Sequence, residues 1–78
     1  MQPTLIFYTT ESCHLCEEAE KLLNQLSRVN SVRVEAIDIS TDEELVSRYG
    51  LRIPVVKNRL TDREIGCPFD LAELANLI

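Results

Sequence analysis

The chain has 78 residues, 45% of them hydrophobic and 27% charged, which suits one folded domain, and we expect a single domain over residues 1–78. The 8 basic and 13 acidic side chains give a formal charge of −5, which disfavours nucleic acid and anionic membranes as partners, because both attract basic surfaces. Three cysteines are too few, and odd in number, for the disulfide framework of a small secreted protein.

The first ten residues contain a short apolar run, residues 5–8, with no positively charged segment before it. This run is too short for the hydrophobic region of a signal peptide or for a membrane-spanning helix. We therefore expect a cytoplasmic protein, and we expect it to be a monomer.

The first half of the chain predicts a strand, a helix and a second strand. The β-branched, aromatic and apolar residues of Thr4–Thr9 are typical of a strand that is buried on both faces. Alternating apolar residues predict the second strand over residues 32–39. Between the two strands, a helix ending near Arg28 is predicted by apolar residues at helical spacing: Leu15, Ala19, Leu22, Leu23 and Leu26.

A short second helix is predicted to follow and to end at Tyr49. Thr41 and Glu44 stand at the N-cap and N3 positions of a capping box, which opens such a helix. Gly50 stands where a left-handed residue would close it.

The second half predicts two short strands joined by a tight turn, and then a last helix. The strands cover residues 53–56 and 63–66, the turn covers residues 58–62, and the helix covers residues 69–78 with Asp70 as its N-cap. The order of elements is therefore β-α-β-α-β-β-α, an α/β fold with four strands and three helices that cover both faces of the sheet.

The segment Cys13-His14-Leu15-Cys16 comes directly after the first predicted strand and opens the first predicted helix. Residues three apart lie on the same side of a helical turn, so these two thiols can close a disulfide. The start of a helix favours thiolate, which is the attacking species in thiol–disulfide exchange. We predict that Cys13 is the nucleophile and the more exposed of the two sulfurs, and that Cys16, one turn deeper, is the resolving cysteine.

Other interpretations of the pair stay open. Zinc sites also use two cysteines at this spacing, although one histidine rules out a Cys₂His₂ site within a single chain. The cysteines could also be incidental to a non-catalytic binding module. His14 would favour thiolate as an imidazolium, but an exposed residue without a role explains it equally well. Glu11, Glu17 and Glu18 oppose thiolate formation.

With these features the chain resembles the glutaredoxins of the thioredoxin superfamily, and more narrowly the short bacterial glutaredoxin-like proteins of unknown function. The resemblance rests on the strand followed by C-x-x-C, on Ile53-Pro54 opening a later strand, and on Ile65-Gly66-Cys67 before the last helix. It implies a thioredoxin-like fold with a four-stranded mixed sheet. It also implies a thiol–disulfide oxidoreductase that reduces protein or glutathione mixed disulfides through Cys13 and Cys16.

The resemblance further implies substrate-binding residues. Pro54 is expected to be cis and to lie beside the disulfide, and the Ile53 backbone is expected to hydrogen-bond an extended substrate. Arg52 and Asp70 are candidates for holding the two ends of glutathione, next to Gly66. Three segments depart from the glutathione-binding pattern of glutaredoxins, namely Thr9-Thr10-Glu11-Ser12, Arg52-Ile53-Pro54 and Gly66-Cys67-Pro68-Phe69-Asp70.

Glutathione is therefore expected only as a co-substrate, with no bound cofactor, and a thioredoxin-type reductant is the alternative electron donor. Cys67 is interpreted either as a small semi-buried hydrophobic residue or as a third thiol near the Pro54 loop that exchanges with the pair. Some glutaredoxins bridge an iron–sulfur cluster between two chains, so an iron–sulfur or zinc carrier using the same cysteines is the alternative function. We assign no metal ligands.

Overall fold

The computed structural model describes residues 3–11 and 13–78, and its elements follow the predicted order. Within these residues no helix has both the length and the apolar character needed to cross a membrane. The strands are β1 (Thr4–Thr9), β2 (Arg33–Asp38), β3 (Val55–Asn58) and β4 (Glu64–Gly66). The helices are α1 (His14–Val29), α2 (Glu43–Tyr49) and α3 (Leu71–Leu77).

The four strands form one mixed sheet in the order β2-β1-β3-β4. Strand β1 runs parallel to β2 and antiparallel to β3, and β3 runs antiparallel to β4. Tyr8 near the end of β1 pairs with Val55 at the start of β3, and Val55 pairs with Gly66 at the end of β4. The loops that carry Cys13, Pro54 and Cys67 therefore leave the sheet at the same end.

The two faces of the sheet are covered by different helices. One core cluster joins β1 and β3 to α1 and α3, and it includes Leu5, Phe7, Leu26, Val56 and Leu74. The other cluster lies on the α2 side and contains Tyr8, Ile39, Tyr49 and Val55. Successive residues of β1 therefore pack on opposite faces, which confirms that this strand is buried on both sides.

Helix α1 buries most of the predicted apolar face, with Leu22 half-buried and Leu15 exposed. Cys16, Ala19, Leu23 and Leu26 are buried, whereas the Leu15 side chain is 54% exposed. Leu15 lies in the first turn of α1, beside an open pocket, and so its placement on the buried face was wrong. Its exposure leaves an apolar side chain at the surface between the two cysteines.

The cap of α2 lies one residue later than predicted. Residues 39–41 form a 3₁₀ turn, and Thr41 Oγ1 donates to the Asp38 carbonyl oxygen at 3.0 Å, so Thr41 is not the N-cap. Asp42 has the extended backbone of an N-cap, and its Oδ1 accepts from the Glu44 amide at 2.9 Å. The preceding turn has its own cap, since Asp38 Oδ1 accepts from the Ser40 amide and hydroxyl. These bonds from Ser40 hold the pKa of Asp38 below its usual value.

Gly50 follows α2 with φ −52° and ψ −35°, so the prediction of a left-handed residue here was wrong. Its amide donates to the Val46 carbonyl oxygen at 2.8 Å, which continues the helical pattern by one residue. A Cβ at this position would lie 2.5 Å from that same oxygen. The close approach of the two backbones, and not a positive φ, explains the glycine.

The last strands and α3 are shorter or shifted relative to their predicted bounds. Strand β3 begins after Pro54, which has no amide hydrogen for the ladder, and it extends to Asn58, so the turn occupies residues 59–62. Asp62 adopts a left-handed φ of 62° in this turn. The N-cap of α3 is Asp70 as predicted, because its Oδ1 accepts from the Glu73 amide at 2.8 Å.

Asn58 is a buried polar residue, 3% exposed, that joins the β3–β4 turn to α3. Its side-chain Nδ2 donates to the Leu77 carbonyl oxygen at 2.8 Å, at the end of α3. Its Oδ1 accepts from the Leu60 amide at 2.9 Å and the Thr61 amide at 3.3 Å, inside the turn. Both ends of the amide group therefore have partners, as a buried polar group requires.

Candidate active site

Cys13 and Cys16 are joined by a disulfide at the start of α1. Their Cα atoms are 5.1 Å apart, a separation that ordinary disulfides have. Cys13 is the N-cap of the helix, and its Sγ accepts from the Cys16 amide at 3.1 Å. The sulfur thus occupies the position where a helix stabilises negative charge with its unpaired amides and its dipole.

The two sulfur atoms have different surroundings. Cys13 is half-buried at the edge of the core, whereas Cys16 is only 3% exposed and packs in the cluster that holds Ala19 and Leu23. A substrate can therefore approach Cys13, while the Cys16 sulfur is within reach only of its neighbour. This asymmetry is what the sequence predicts for a nucleophile and a resolving cysteine.

The Ile53–Pro54 peptide is cis, as the resemblance implies, and Pro54 is fully buried. The Pro54 carbonyl oxygen accepts from the Cys67 amide at 3.2 Å, which ties the two loops together. The Cys67–Pro68 peptide is also cis, which was not predicted from the sequence.

The Ile53 backbone is only half available to an extended substrate. Its amide donates to the Tyr49 carbonyl oxygen at 3.0 Å, so of the two backbone groups expected to bind a substrate the amide is already engaged. The reason is that α2 ends in a tight turn, in which the amides of Arg52 and Ile53 both donate to Tyr49. Within the described residues no donor reaches the Ile53 carbonyl oxygen, which leaves an acceptor for a substrate amide.

An open pocket lies between α1, the Pro54 loop and the loop between β4 and α3. It places Cys67 near Pro54, as the predicted fold requires, but Cys67 is exposed and not semi-buried. The lining is mostly apolar and consists of Leu15, Glu18, Ala19, Leu22, Pro54, Cys67, Pro68 and Phe69. Leu15 and Phe69 were not identified as site residues from the sequence, which placed Leu15 on the apolar face of the first helix and Phe69 at the start of the last helix.

Arg52 is engaged in a network behind the Pro54 loop. Its Nη2 lies 3.0 Å from Glu64 Oε1, and its guanidinium lies over the Tyr49 ring, 5.6 Å from the centroid. The Tyr49 hydroxyl donates to Glu64 Oε2 at 3.0 Å, and the Tyr49 ring stacks on Tyr8 with centroids 4.3 Å apart. Burial, and then the bond to Glu64, raises the pKa of Tyr49. The guanidinium is therefore already paired.

The other candidate residues have structural partners or lie in the open. Asp70 uses one carboxylate oxygen as the N-cap of α3, and Gly66 pairs with Val55 in the sheet. His14 is highly exposed, with Nδ1 at 3.7 Å from Glu17 Oε2. Ser12, part of the segment that departs from the glutaredoxin pattern, lies outside the described residues.

The metal-carrier alternative finds no donor set in the described part of the chain. In residues 3–11 and 13–78, no three cysteine, histidine or carboxylate side chains come close enough together to hold a metal ion. A three- or four-ligand zinc site needs such a group. The observed pairing of Cys13 with Cys16 supports redox chemistry instead.

A mixed four-stranded sheet with helices on both faces, and a C-x-x-C disulfide at a helix start near a cis-proline, define a redox protein with a thioredoxin fold. The family model of the Glutaredoxin-like domain (DUF836) matches residues 4–78. This chain therefore belongs to the glutaredoxin-like domain family, and its function is of the redox type. No curated protein matches the chain.

Solved structures agree with this assignment. Protein XcR50 from X. campestris is 35% identical, with a TM-score of 0.80 over 92% of this chain and 91% of that one. Protein Ne2328 from Nitrosomonas europaea is 31% identical, with a TM-score of 0.83 over 100% of this chain and 94% of that one. A thioredoxin from Halobacterium salinarum, 23% identical, shares the fold with a TM-score of 0.78 over 99% of this chain and 72% of that one.

The different exposure of the three thiols predicts an order of alkylation. In the oxidised protein Cys67 alone is expected to react with iodoacetamide, because it is exposed and the other two cysteines are paired. After the disulfide is reduced, Cys13 should react as well. Cys16 should react more slowly than Cys13 and Cys67, because it is buried. Peptide mapping by mass spectrometry checks the order. Rapid labelling of Cys16 in the folded protein would contradict this placement.

Proposed function

We propose that this protein is a thiol–disulfide oxidoreductase that reduces disulfides through Cys13 and Cys16. The observation that carries the proposal is the position of Cys13 Sγ as the N-cap of α1, where it accepts the Cys16 amide. After reduction of the disulfide, the same amide and the helix dipole would stabilise a Cys13 thiolate. The Cys16 sulfur is shielded and close by, as a resolving group should be.

The reaction proceeds in two exchanges. The Cys13 thiolate attacks one sulfur of the substrate disulfide, the substrate S–S bond breaks, and the first substrate thiolate leaves. Cys16, having lost its proton, then attacks Cys13 Sγ in the mixed disulfide, which forms the Cys13–Cys16 bond and releases the second substrate thiolate. The substrate gains two electrons and two protons, and the pair becomes oxidised. A thiol donor, either glutathione or a reductase-dependent dithiol, must then reduce the pair for another cycle.

Two features beside the disulfide support binding of an extended substrate. The Ile53 carbonyl oxygen is available to accept a backbone hydrogen bond from the residues next to the substrate cysteine, as in the addition of a short strand. The pocket lined by Leu15, Pro54 and Phe69 offers apolar contact at the same end of the sheet.

Trapping the intermediate tests the proposal. The Cys16→Ser variant cannot resolve the mixed disulfide, so it should accumulate a covalent adduct with a disulfide substrate such as insulin, linked through Cys13. Intact-mass and peptide-mapping mass spectrometry without reductant locates the linkage. The Cys13→Ser variant is the matched control, since it also lacks one cysteine of the pair. An adduct that forms equally well in both variants, through Cys67, would overturn the assignment of the nucleophile.

A further inference from the structure

The surface around the disulfide combines an apolar pocket with an acidic rim. Seven of the eight pocket residues are apolar or cysteine, and the eighth, Glu18, brings a carboxylate to its edge. Glu17 lies in the first turn of α1 next to the disulfide, and Asp70 and Glu73 follow the lining residue Phe69 at the start of α3. Negative charge therefore accumulates on both sides of the pocket.

The cations near this surface do not cancel its negative charge. Arg52 is paired with Glu64 at 3.0 Å, and the phenol of Tyr49 binds the same carboxylate. Lys21 lies 3.6 Å from Glu18 and offsets the charge of only one of the four rim carboxylates, which belong to Glu17, Glu18, Asp70 and Glu73. The net charge of the rim is therefore negative, in keeping with the charge of −5 on the whole chain.

We infer that the partner of this site is a cysteine-bearing segment of a protein with an apolar residue next to the cysteine and basic residues flanking it, and not glutathione. The inference rests on the proposed function, because it names the substrate of the same disulfide. A glutathionyl group carries more carboxylates than ammonium groups, and the acidic rim repels it. A segment with lysine or arginine is attracted by the rim, and its apolar side chain fills the pocket beside Leu15 and Phe69.

The test compares chromogenic mixed disulfides of nitrothiobenzoate with four thiols, reacted with the reduced protein. Three of the thiols are short peptides with one cysteine, and the fourth is glutathione. The first peptide has a leucine beside the cysteine and flanking lysines, and the second has the same leucine and flanking glutamates. The third has a serine beside the cysteine and flanking lysines. Cys13 attacks the peptide or glutathione sulfur and expels nitrothiobenzoate, so its release reports the rate constant. The rate of the Cys13→Ser variant is subtracted, because it reports reaction at Cys16 and Cys67.

The leucine–lysine peptide is expected to react about tenfold faster than glutathione at low salt, with a smaller difference at high salt as the charges are screened. Glu18→Lys should reduce the preference for the lysine peptide over the glutamate peptide about threefold to tenfold. Glu20→Lys makes the same charge change at an exposed position of the same helix, and it should leave this preference nearly unchanged. Leu15→Ser should reduce the preference for leucine over serine about threefold, and Leu60→Ser, which changes an exposed leucine in the β3–β4 turn, should not.

Glutathione reacting as fast as the leucine–lysine peptide would overturn this inference and leave the proposed function intact. Equal effects of Glu18→Lys and Glu20→Lys would also overturn it, because the preference would then follow the total charge and not the rim. If wild type reacted with all four compounds no faster than Cys13→Ser, the proposed function would fail, and the inference with it.

Discussion

Replacing Cys13 with serine is expected to lower the rate of disulfide reduction by about a hundredfold or more, because a serine hydroxyl does not ionise to a nucleophile near neutral pH. The remaining thiols cannot replace it. Cys16 is shielded by the core, and Cys67, although exposed, lies in the loop between β4 and α3 and not at the N-cap of a helix, where a thiolate would be stabilised. Insulin reduction, with dithiothreitol as the electron donor, measures the effect against wild type.

The fold should survive this substitution. Serine is one of the preferred N-cap residues, and its hydroxyl oxygen can accept from the Cys16 amide in place of the sulfur. Circular dichroism and the thermal midpoint should be compared with those of reduced wild type, since the variant lacks the disulfide. A folded Cys13→Ser protein that retains wild-type activity would show that the chemistry lies elsewhere, with Cys67 as the next thiol to examine.

The Asn58→Asp substitution is expected to lower the free energy of unfolding at neutral pH by about 2–4 kcal/mol. In the wild-type protein, Asn58 Nδ2 donates to the Leu77 carbonyl oxygen, while Oδ1 accepts from two amides of the turn. A carboxylate would keep the turn bonds, but it would place a second acceptor against the carbonyl and bury a charge in a site that is 3% exposed. The end of α3 should therefore loosen first.

Urea denaturation at neutral pH measures the loss, and Asn24→Asp is the matched control. Asn24 is exposed on α1, so the same chemical change there should alter stability by less than about 0.5 kcal/mol. Lowering the pH should restore part of the loss in Asn58→Asp, because a protonated carboxyl can again donate to Leu77. Equal stability of the two variants at neutral pH would show that Asn58 does not join the turn to α3.

The boundaries of individual elements show where local reasoning was sufficient. The strand Thr4–Thr9 and the N-cap Asp70 were predicted correctly, because an apolar run and a cap motif act through neighbouring residues. The capping box at Thr41 failed for an equally physical reason. Ser40, Thr41 and Asp42 all have capping side chains, and a 3₁₀ turn capped by Asp38 uses Thr41 before α2 begins. The interpretation of Gly50 failed because its close contact with Val46 depends on how α2 ends.

The candidate site, too, was predicted only in part from the sequence. The sequence by itself determined the order of elements, the spacing that lets Cys13 and Cys16 pair at a helix start, and which of the two is buried, because these follow from spacing and periodicity. Only the tertiary structure decided that Arg52 is held by Glu64, that the Ile53 amide is occupied, and that Leu15, Cys67 and Phe69 line one pocket. Those contacts join residues from distant parts of the chain, and the pairing of the four strands, not any local pattern, sets which of them meet.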